Sequence, residues 1–314
     1  MISPSRGQPG RALPRLIRAT VPAKLCFIVN PRSGHAARAL PAVQAFAAAR
    51  GAVVRLTERP RHAGELAAQA LAEGTATIVA VGGDGTMNEI ASVLVGTPAT
   101  LGLVPCGSGD GLGRHLGIHG PITRALAILE HGHVRRIDTG WAEGHPFFAA
   151  AGLGFEAYVA QRFNRLDRRG LPGYLATSAR ALLRYRPDEY TIVHGAQRER
   201  LRAFTLAIAN TNQYGNGARI APQAQVDDGL LDLTAVPSVG LVNALPLLVR
   251  LFRGSVDRVR GVVTRRAAHF VIERASAGPI HTDGELHEAG RIVEFRVKPA
   301  SLQILAPAPS DGES

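Results

Sequence analysis

The sequence predicts an α/β domain, built on a parallel sheet with helices on both faces, followed by a second, β-rich domain. Three observations predict it. In the first half, short apolar runs alternate with helical patterns, the rhythm of a parallel sheet whose strands are buried on both faces. Glycine-rich segments fall at the carboxyl ends of those runs, the edge where open α/β sheets bind ligands. After about Asp138 the rhythm changes to strand-like runs separated by turn signals.

In order, Leu25 to Val29 is an apolar run ending in Asn30-Pro31-Arg32-Ser33-Gly34, and an Ala-rich helical pattern follows to about Arg50. Val53 to Leu56 is a second run, ending at Thr57, with a helical pattern over Ala63 to Ala72. Thr77 to Val81 is a third, ending in Gly82-Gly83-Asp84-Gly85-Thr86, with a helix starting near Met87. Leu101 to Val104 is a fourth, ending in Pro105-Cys106-Gly107-Ser108-Gly109, and Ile122 to Leu129 is helical. Beyond the change of rhythm, Phe147 to Ala151, Tyr190 to Val193, Phe204 to Ala209, Leu230 to Ala235, His269 to Ile272, Ile292 to Val297 and Leu302 to Leu305 read as strands. Asp228-Gly229 and Asp283-Gly284 punctuate them as turns. Helical patterns sit at Phe155 to Asn164, Tyr174 to Tyr185 and Leu241 to Phe252. The expected organisation is a basic leader (1–22), an α/β unit (23–140), a β-rich unit (141–306) and a tail (307–314).

The chain has 314 residues, 46% of them hydrophobic, enough for two domains and far from a disordered composition. Two cysteines, Cys26 and Cys106, are too few for a disulfide scaffold or a Cys-based zinc site, so a reducing, cytoplasmic setting is expected. No apolar run is long enough to span a membrane, and the leader lacks the apolar middle of a signal peptide. The net charge of +11 suits a polyanionic partner, whether nucleotide, nucleic acid or anionic bilayer, or a solvated Arg-rich face. With aromatics at 5%, a nucleic-acid stacking surface is not expected.

The segment Val81-Gly82-Gly83-Asp84-Gly85-Thr86-Met87-Asn88-Glu89 carries most of the chemistry. Two glycines permit a sharp turn and a close approach to a ligand. The N–H groups that open the next helix can face phosphate oxygens. Asp84 is a hard oxygen ligand for Mg²⁺, and Thr86 offers a hydroxyl. Asn30, Ser33 and Gly34 end one strand and open a helix, with Pro31 fixing the turn. No Walker loop is present. Asp283 and Glu285, on a tight turn of the second unit, are candidate proton acceptors for an attacking hydroxyl. Asp227, Asp228 and Asp232 cluster beside Gly229 without EF-hand spacing. Gly152-Leu153-Gly154-Phe155-Glu156-Ala157 approximates a dinucleotide fingerprint but lies outside the alternating half. Leu241 to Phe252, apolar nearly all round, is expected to be a buried core helix. An acyl-chain cleft or membrane contact is its alternative. Arg162, Arg165, Arg168, Arg169, Arg180, Arg184 and Arg186 form a basic stretch suited to lipid headgroups or to solvent.

These segments together resemble the diacylglycerol kinase catalytic family, over about residues 24 to 306. Phe27-Ile28-Val29-Asn30-Pro31-Arg32-Ser33-Gly34 is similar to the family's first nucleotide loop, and Gly107-Ser108-Gly109-Asp110 to its third. Thr57 stands at a nucleotide-contacting threonine. Asn210 to Asp232 resembles the metal-bearing segment, and Asp283-Gly284-Glu285 the catalytic tripeptide. The resemblance implies an NAD-kinase-like or diacylglycerol-kinase-like α/β domain, a β-sandwich-like second domain, and an ATP- and Mg²⁺-dependent kinase acting on a lipid hydroxyl. The implied nucleotide contacts are Asn30, Pro31, Ser33, Gly34, Thr57, Gly82, Gly83, Asp84, Gly85, Thr86, Asn88, Glu89, Gly107 and Ser108. Asp84, Asp283 and Glu285 are the implied catalytic groups, with the base left open between Asp283 and Glu285. A structural metal is implied on the Asp228 carboxylate and the carbonyls of Gln225 and Leu230.

The implied partner is lipid at an anionic membrane surface, approached peripherally, by a monomer or a homodimer. The third loop departs from the commonest bacterial pattern: Ser108 replaces Thr, Asp110 replaces Asn and Gly111 replaces Asp. A carboxylate is less welcoming to phosphate than an amide, so Asp110 must point away or be offset by a metal. Two other functions are weighed, a soluble-metabolite kinase such as an NAD kinase and a non-catalytic lipid or nucleotide binder.

Overall fold

Three doubly buried runs make the centre of the first unit: β1 (Leu25–Val29), β3 (Thr77–Gly82) and β4 (Thr100–Pro105). They pair in parallel, with β2 (Val53–Leu56) on the outer side of β1. Edge position leaves Val53 and Leu56 of β2 exposed. Helices α1 (Ala36–Ala48), α2 (His62–Ala72) and α3 (Asp84–Leu94) link these strands. The chain steps outward from β1 to β2, then back through β3 to β4. Right-handed crossovers therefore put α1 on one face and α2 and α3 on the other. The short α4 (Gly111–His115) precedes α5 (Ile122–His131), which packs on α1. Both faces of the sheet are thereby covered, as the apolar runs require. The strand order reverses between β1 and β3, and a crevice opens beyond their carboxyl ends.

The computed structural model describes residues 24–158, 185–237 and 241–308. The leader, most of the basic stretch (Arg162 to Arg184), the later part of the Phe155–Asn164 pattern, all of the Tyr174–Tyr185 pattern but Tyr185, and most of the tail lie outside these residues. Residues 155–158 are helical.

From β5 (His133–Ala142) onward the strands pair with one another in antiparallel fashion. One sheet runs β12 (Val263–Ala267), β11 (Leu231–Val236), β10 (Thr205–Ala209), β7 (Ala150–Gly154), β14 (Gly278–Thr282) and β15 (Glu285–Ala289). The other adds β16 (Ile292–Ala306), β13 (His269–Arg274), β8 (Asp188–His194) and β9 (Gln197–Ala203) to β4. Short β6 (His145–Phe147) hairpins with β5. The two sheets share an apolar layer in which Leu153, Leu206, Ile208, Leu233 and Ile280 of one meet Phe147, Ile192, Phe270, Ile272, Val293 and Phe295 of the other. That layer makes the second unit a sandwich.

Two features differ from the expectation. The segments 292–297 and 302–305 are one strand, interrupted by a register shift between Lys298 and Leu302. Ala300 there has φ 48° and donates its N–H to Asp138. Past the shift, Gln303 and Ile304 pair in parallel with Thr100 and Leu101 of β4, so the last strand completes the first unit's sheet. The second difference is α6 (Leu241–Arg253), expected to be buried all round. Leu247 and Leu251 do pack onto Ala207, Ala209 and Ile220. Leu245, Leu248, Val249 and Phe252, however, are exposed, because among the described residues nothing covers that side.

Candidate active site

The site grows from the turn between β3 and α3. Gly83 caps α3 in an extended conformation, and its N–H donates to Ser33 Oγ at 2.8 Å. Asn30 Nδ2 donates to Thr86 Oγ1 at 3.2 Å, and Asn30 Oδ1 accepts the N–H of Arg32. The first loop and the Gly83 turn are thus tied once through backbone and once side chain to side chain. The third loop closes on both. His35 N–H donates to the Cys106 carbonyl and Cys106 N–H to the Gly82 carbonyl. A Cβ on Gly34 would lie 1.8 Å from the Cys106 oxygen, and one on Gly107 would lie 2.9 Å from Gly83 Cα. Only glycines allow this approach of three backbones.

Asp84 reaches across to the third loop. Its carboxylate accepts the N–H groups of Asp110 at 3.1 Å and Gly111 at 3.3 Å, at the start of α4. Asp110, at φ 50°, turns its own carboxylate toward His119 Nδ1, 2.8 Å away, and over Gly113. Burial pushes the Asp110 carboxyl above its ordinary range, opposed by the His119 hydrogen bond and reinforced by Asp84. The question raised by Asp110 therefore has a local answer: the carboxylate turns to a histidine. Glu89, one turn farther along α3, accepts the N–H groups of Ala63 and Gly64 and so caps α2.

In front of these loops lies a cleft of about 420 Å³. Of the residues read from sequence, Asn30, Ser33, Thr57, Gly83, Asp84, Gly85, Thr86 and Glu89 line it. Arg32 adds positive charge to its wall, and Arg59, paired with Glu65, stands there beside Glu58. Gly34, Gly82 and Gly107 lock the loops behind it. Pro31, Asn88 and Ser108 are not among its lining residues. The Asn88 Oδ1 is buried without a partner, and the Ser108 carbonyl accepts from Arg114. A cradle that added Cβ atoms would fill, backed by a helix N-terminus and flanked by arginines, fits a triphosphate.

The second unit brings Asp283 to the same region. Asp283 takes φ 48° in the turn between β14 and β15. Its Oδ1 accepts the N–H groups of Ala149 and Ala150, each at 2.9 Å, and its Oδ2 that of Phe148 at 2.7 Å. The residue keeps some exposure, but its carboxyl is packed among amides. Burial pushes it above the ordinary carboxyl range, the three amides pull the other way, and the charge of Asp84 adds to the rise. Asp84 and Asp283 thus feel each other across the junction of the units. Glu285 lies outside them, exposed, and pairs with Arg61 at the start of α2 at 3.3 Å. Arg61 has φ 61° and carried no sequence signal, since its partner is 224 residues away. The loop after β10 also closes on the site: Asn216 N–H donates to the Gly109 carbonyl at 2.9 Å.

Asp228 Oδ1 accepts the Leu230 N–H, and its Oδ2 pairs with Arg266, which also holds Asp232. Asp227 pairs with Arg135. The Arg266 guanidinium thus takes up Asp228 Oδ2, on the carboxylate that a cation on Gln225, Asp228 and Leu230 would use. Among the described residues no group of three or more His, Cys, Asp or Glu is placed to hold one.

Residues 24–142 match the family model "Diacylglycerol kinase catalytic domain", and residues 149–306 match "YegS C-terminal NAD kinase beta sandwich-like domain". The chain is 32% identical over 303 residues to a diacylglycerol kinase of Mycobacterium tuberculosis, covering 90% of this chain and 95% of that protein. It is 34% identical over 278 residues to a Pseudomonas aeruginosa protein named "Probable lipid kinase YegS-like", covering 84% and 87%. A solved structure of a diacylglycerol kinase from Bacillus anthracis shares the fold, with a TM-score of 0.68 at 19% identity over 90% of this chain and 97% of that one.

Proposed function

The chain belongs to the diacylglycerol kinase catalytic-domain family, and from that premise we propose that it transfers the γ-phosphoryl group of ATP to the hydroxyl of a membrane lipid, diacylglycerol or a sphingoid- or ceramide-like acceptor. The observation that carries this reading is the approach of two acids from the two units: Asp84, which lines the cleft, is near enough for its charge to raise the buried Asp283 carboxyl, and Glu285, two residues on, pairs with Arg61, which sits between the cleft residues Pro60 and Ala63. The triphosphate lies against the turns at Asn30–Ser33 and Gly83–Thr86, with Arg32 answering its charge and Arg59 able to do so by leaving Glu65. Mg²⁺ entering with the nucleotide would neutralise charge as the phosphoryl group moves, and Asp84 is the residue that would hold it. The acceptor oxygen bonds to the γ-phosphorus as the bond to the bridging oxygen breaks, and ADP leaves.

The proton of the acceptor hydroxyl goes to Asp283. An ionised carboxylate offers about four acceptor sites. Three of those on Asp283 hold backbone amides, which fix its orientation and leave one for the substrate. A carboxyl raised by burial is a stronger base than a solvated one. Glu285, exposed and paired with Arg61, is suited to tying the two units across the cleft.

The test is transfer from radiolabelled ATP with Mg²⁺ to a panel of lipids in mixed micelles, with NAD as a soluble acceptor. Label is expected in lipid and not in NAD. Asp84→Ala and Asp283→Asn are each expected to lower the rate by about 10²–10⁴-fold. Label in NAD alone, or full activity in the double variant, overturns the reading.

A further inference from the structure

Helix α6 has apolar residues on two sides. Leu247 and Leu251, one turn apart, seat it on the second unit. Leu245, Leu248, Val249 and Phe252 follow the i, i+3, i+4, i+7 spacing of a single helical stripe, and all four are exposed, Leu245 by 67% and Phe252 by 52%. Lone exposed apolar residues are ordinary, but a continuous stripe on one helix marks an interaction surface. Its charge points to the occupant. Arg250 and Arg253 lie in the helix's last turns, Arg258 and Arg260 follow, all four are exposed, and the helix contains no Asp or Glu. An apolar stripe edged by arginines is the composition of a helix lying in the interface of an anionic bilayer.

Its place in the fold points the same way. Arg219 N–H donates to the Leu251 carbonyl, and a Cβ on Gly217 would lie 4.0 Å from the Phe252 ring. The loop that carries Gly217 donates from Asn216 to Gly109, and the neighbouring Asp110 donates to Asp84. The 216–219 loop therefore touches both α6 and the third loop at the catalytic rim. We infer that α6 is the membrane-docking element of this protein: Leu245, Leu248, Val249 and Phe252 insert among the acyl chains of an anionic bilayer while Arg250 and Arg253 engage its phosphates, bringing the cleft to the lipid surface. The inference rests on the lipid-kinase reading and names the surface through which that reading is carried out.

Co-sedimentation of the full chain with phosphatidylglycerol and with phosphatidylcholine vesicles tests it. The parent protein is expected to partition onto the anionic vesicles and only weakly onto the zwitterionic ones. Leu245→Asp/Leu248→Asp is expected to reduce that partition by roughly tenfold or more. Arg250→Glu/Arg253→Glu is expected to reduce it too and to flatten its salt dependence. Unchanged melting temperatures show that the variants fold, and the arginine pair tests the surface even if the aspartate pair does not. Transfer to a short-chain, monomerically soluble diacylglycerol is expected to be equal in the parent and the Leu245→Asp/Leu248→Asp variant, while transfer to vesicle-embedded diacylglycerol falls. Absence of transfer to any lipid by the parent would sink the kinase reading while vesicle binding still decided the role of α6. Parent-like vesicle binding by both variants would overturn the docking role. So would a shift from dimer to monomer in sedimentation velocity with vesicle binding intact, since the stripe would then face a second copy of the chain.

Discussion

At Gly34 the backbone sits at φ 54° with the Cys106 carbonyl pressed where a side chain would go, whereas at Gly85 the first turn of α3 has open space on that side. Both belong to glycine-rich turns, and sequence alone treats them alike. Gly34→Ala forces an L side chain into the left-handed region, at about 1–2 kcal/mol, and pushes the first loop off the third. Gly85→Ala relieves a flexible residue in a helix, so stability is expected to hold or to rise by about 0.5–1 kcal/mol. Urea denaturation separates the two. The nucleotide affinity of Gly34→Ala is expected to fall together with its stability, because the same contact sets the cradle. Equal destabilisation by both substitutions would contradict the packing described. The identity of such residues was legible in the sequence, but their partners were not. Asp84 reads as a phosphate-side acid from its place after Gly-Gly, yet its hydrogen bonds to Asp110 and Gly111 depend on a loop 26 residues away. Glu89 reads as a nucleotide contact, while its carboxylate caps α2, which no local pattern discloses.

Elements were legible where burial is two-sided and lost where it is not. β1, β3 and β4 stand out as apolar runs, but β9 reads Gln-Arg-Glu-Arg-Leu-Arg-Ala, because an edge strand pairs its charges sideways: Arg198 with Glu273, and Arg200 with Glu189. β5 was hidden by the change of rhythm it spans. The β14–β15 hairpin that presents Asp283 carries its own titration. His287 accepts or donates at Thr282 Oγ1 and stacks on His145 with ring centroids 3.7 Å apart. Burial first, then the charge His145 would carry, hold His287 below its ordinary value of 6.5. The folded hairpin thus binds fewer protons here than the unfolded chain. Its stability is whole above about pH 6.5 and declines as pH falls through that value toward the depressed one. His287→Gln keeps a partner for Thr282 and removes the titration. Between pH 7 and pH 5 the parent's melting temperature is expected to drop further than that of the variant. Parallel curves would mean that His287 binds its proton equally well in the folded and unfolded chain, its environment being wetter than the packing indicates.

Across the whole molecule, the two units are joined by strand as well as by cleft. The sequence divides where the rhythm changes, but β16 runs the length of β5 and then enters the first sheet beside β4. Leu302, Ile304 and Leu305 belong to the core around β1, β3 and β4, although they come last in the chain. Parallel pairing between distant segments leaves no local mark, which is why this join was invisible from composition and spacing. It has a measurable consequence. Trp141, the single tryptophan, sits on β5 opposite Arg296 of β16, with Lys298 over its ring at 5.5 Å. Its fluorescence reports the second unit's side of the join, while far-UV circular dichroism reports the helices, which among the described residues lie chiefly in the first. If β16 makes one cooperative body of both, the two signals are expected to change at the same denaturant concentration. Ile304→Ala removes a fully buried side chain from the first unit's core, at about 2–5 kcal/mol. It is expected to shift both transitions together and by equal amounts. A fluorescence midpoint that stays in place while the helical signal moves would show two independently folding units. The alignment of Asp283 with Asp84 would then rest on the Arg61–Glu285 pair and loop contacts alone, with β16 contributing nothing to it.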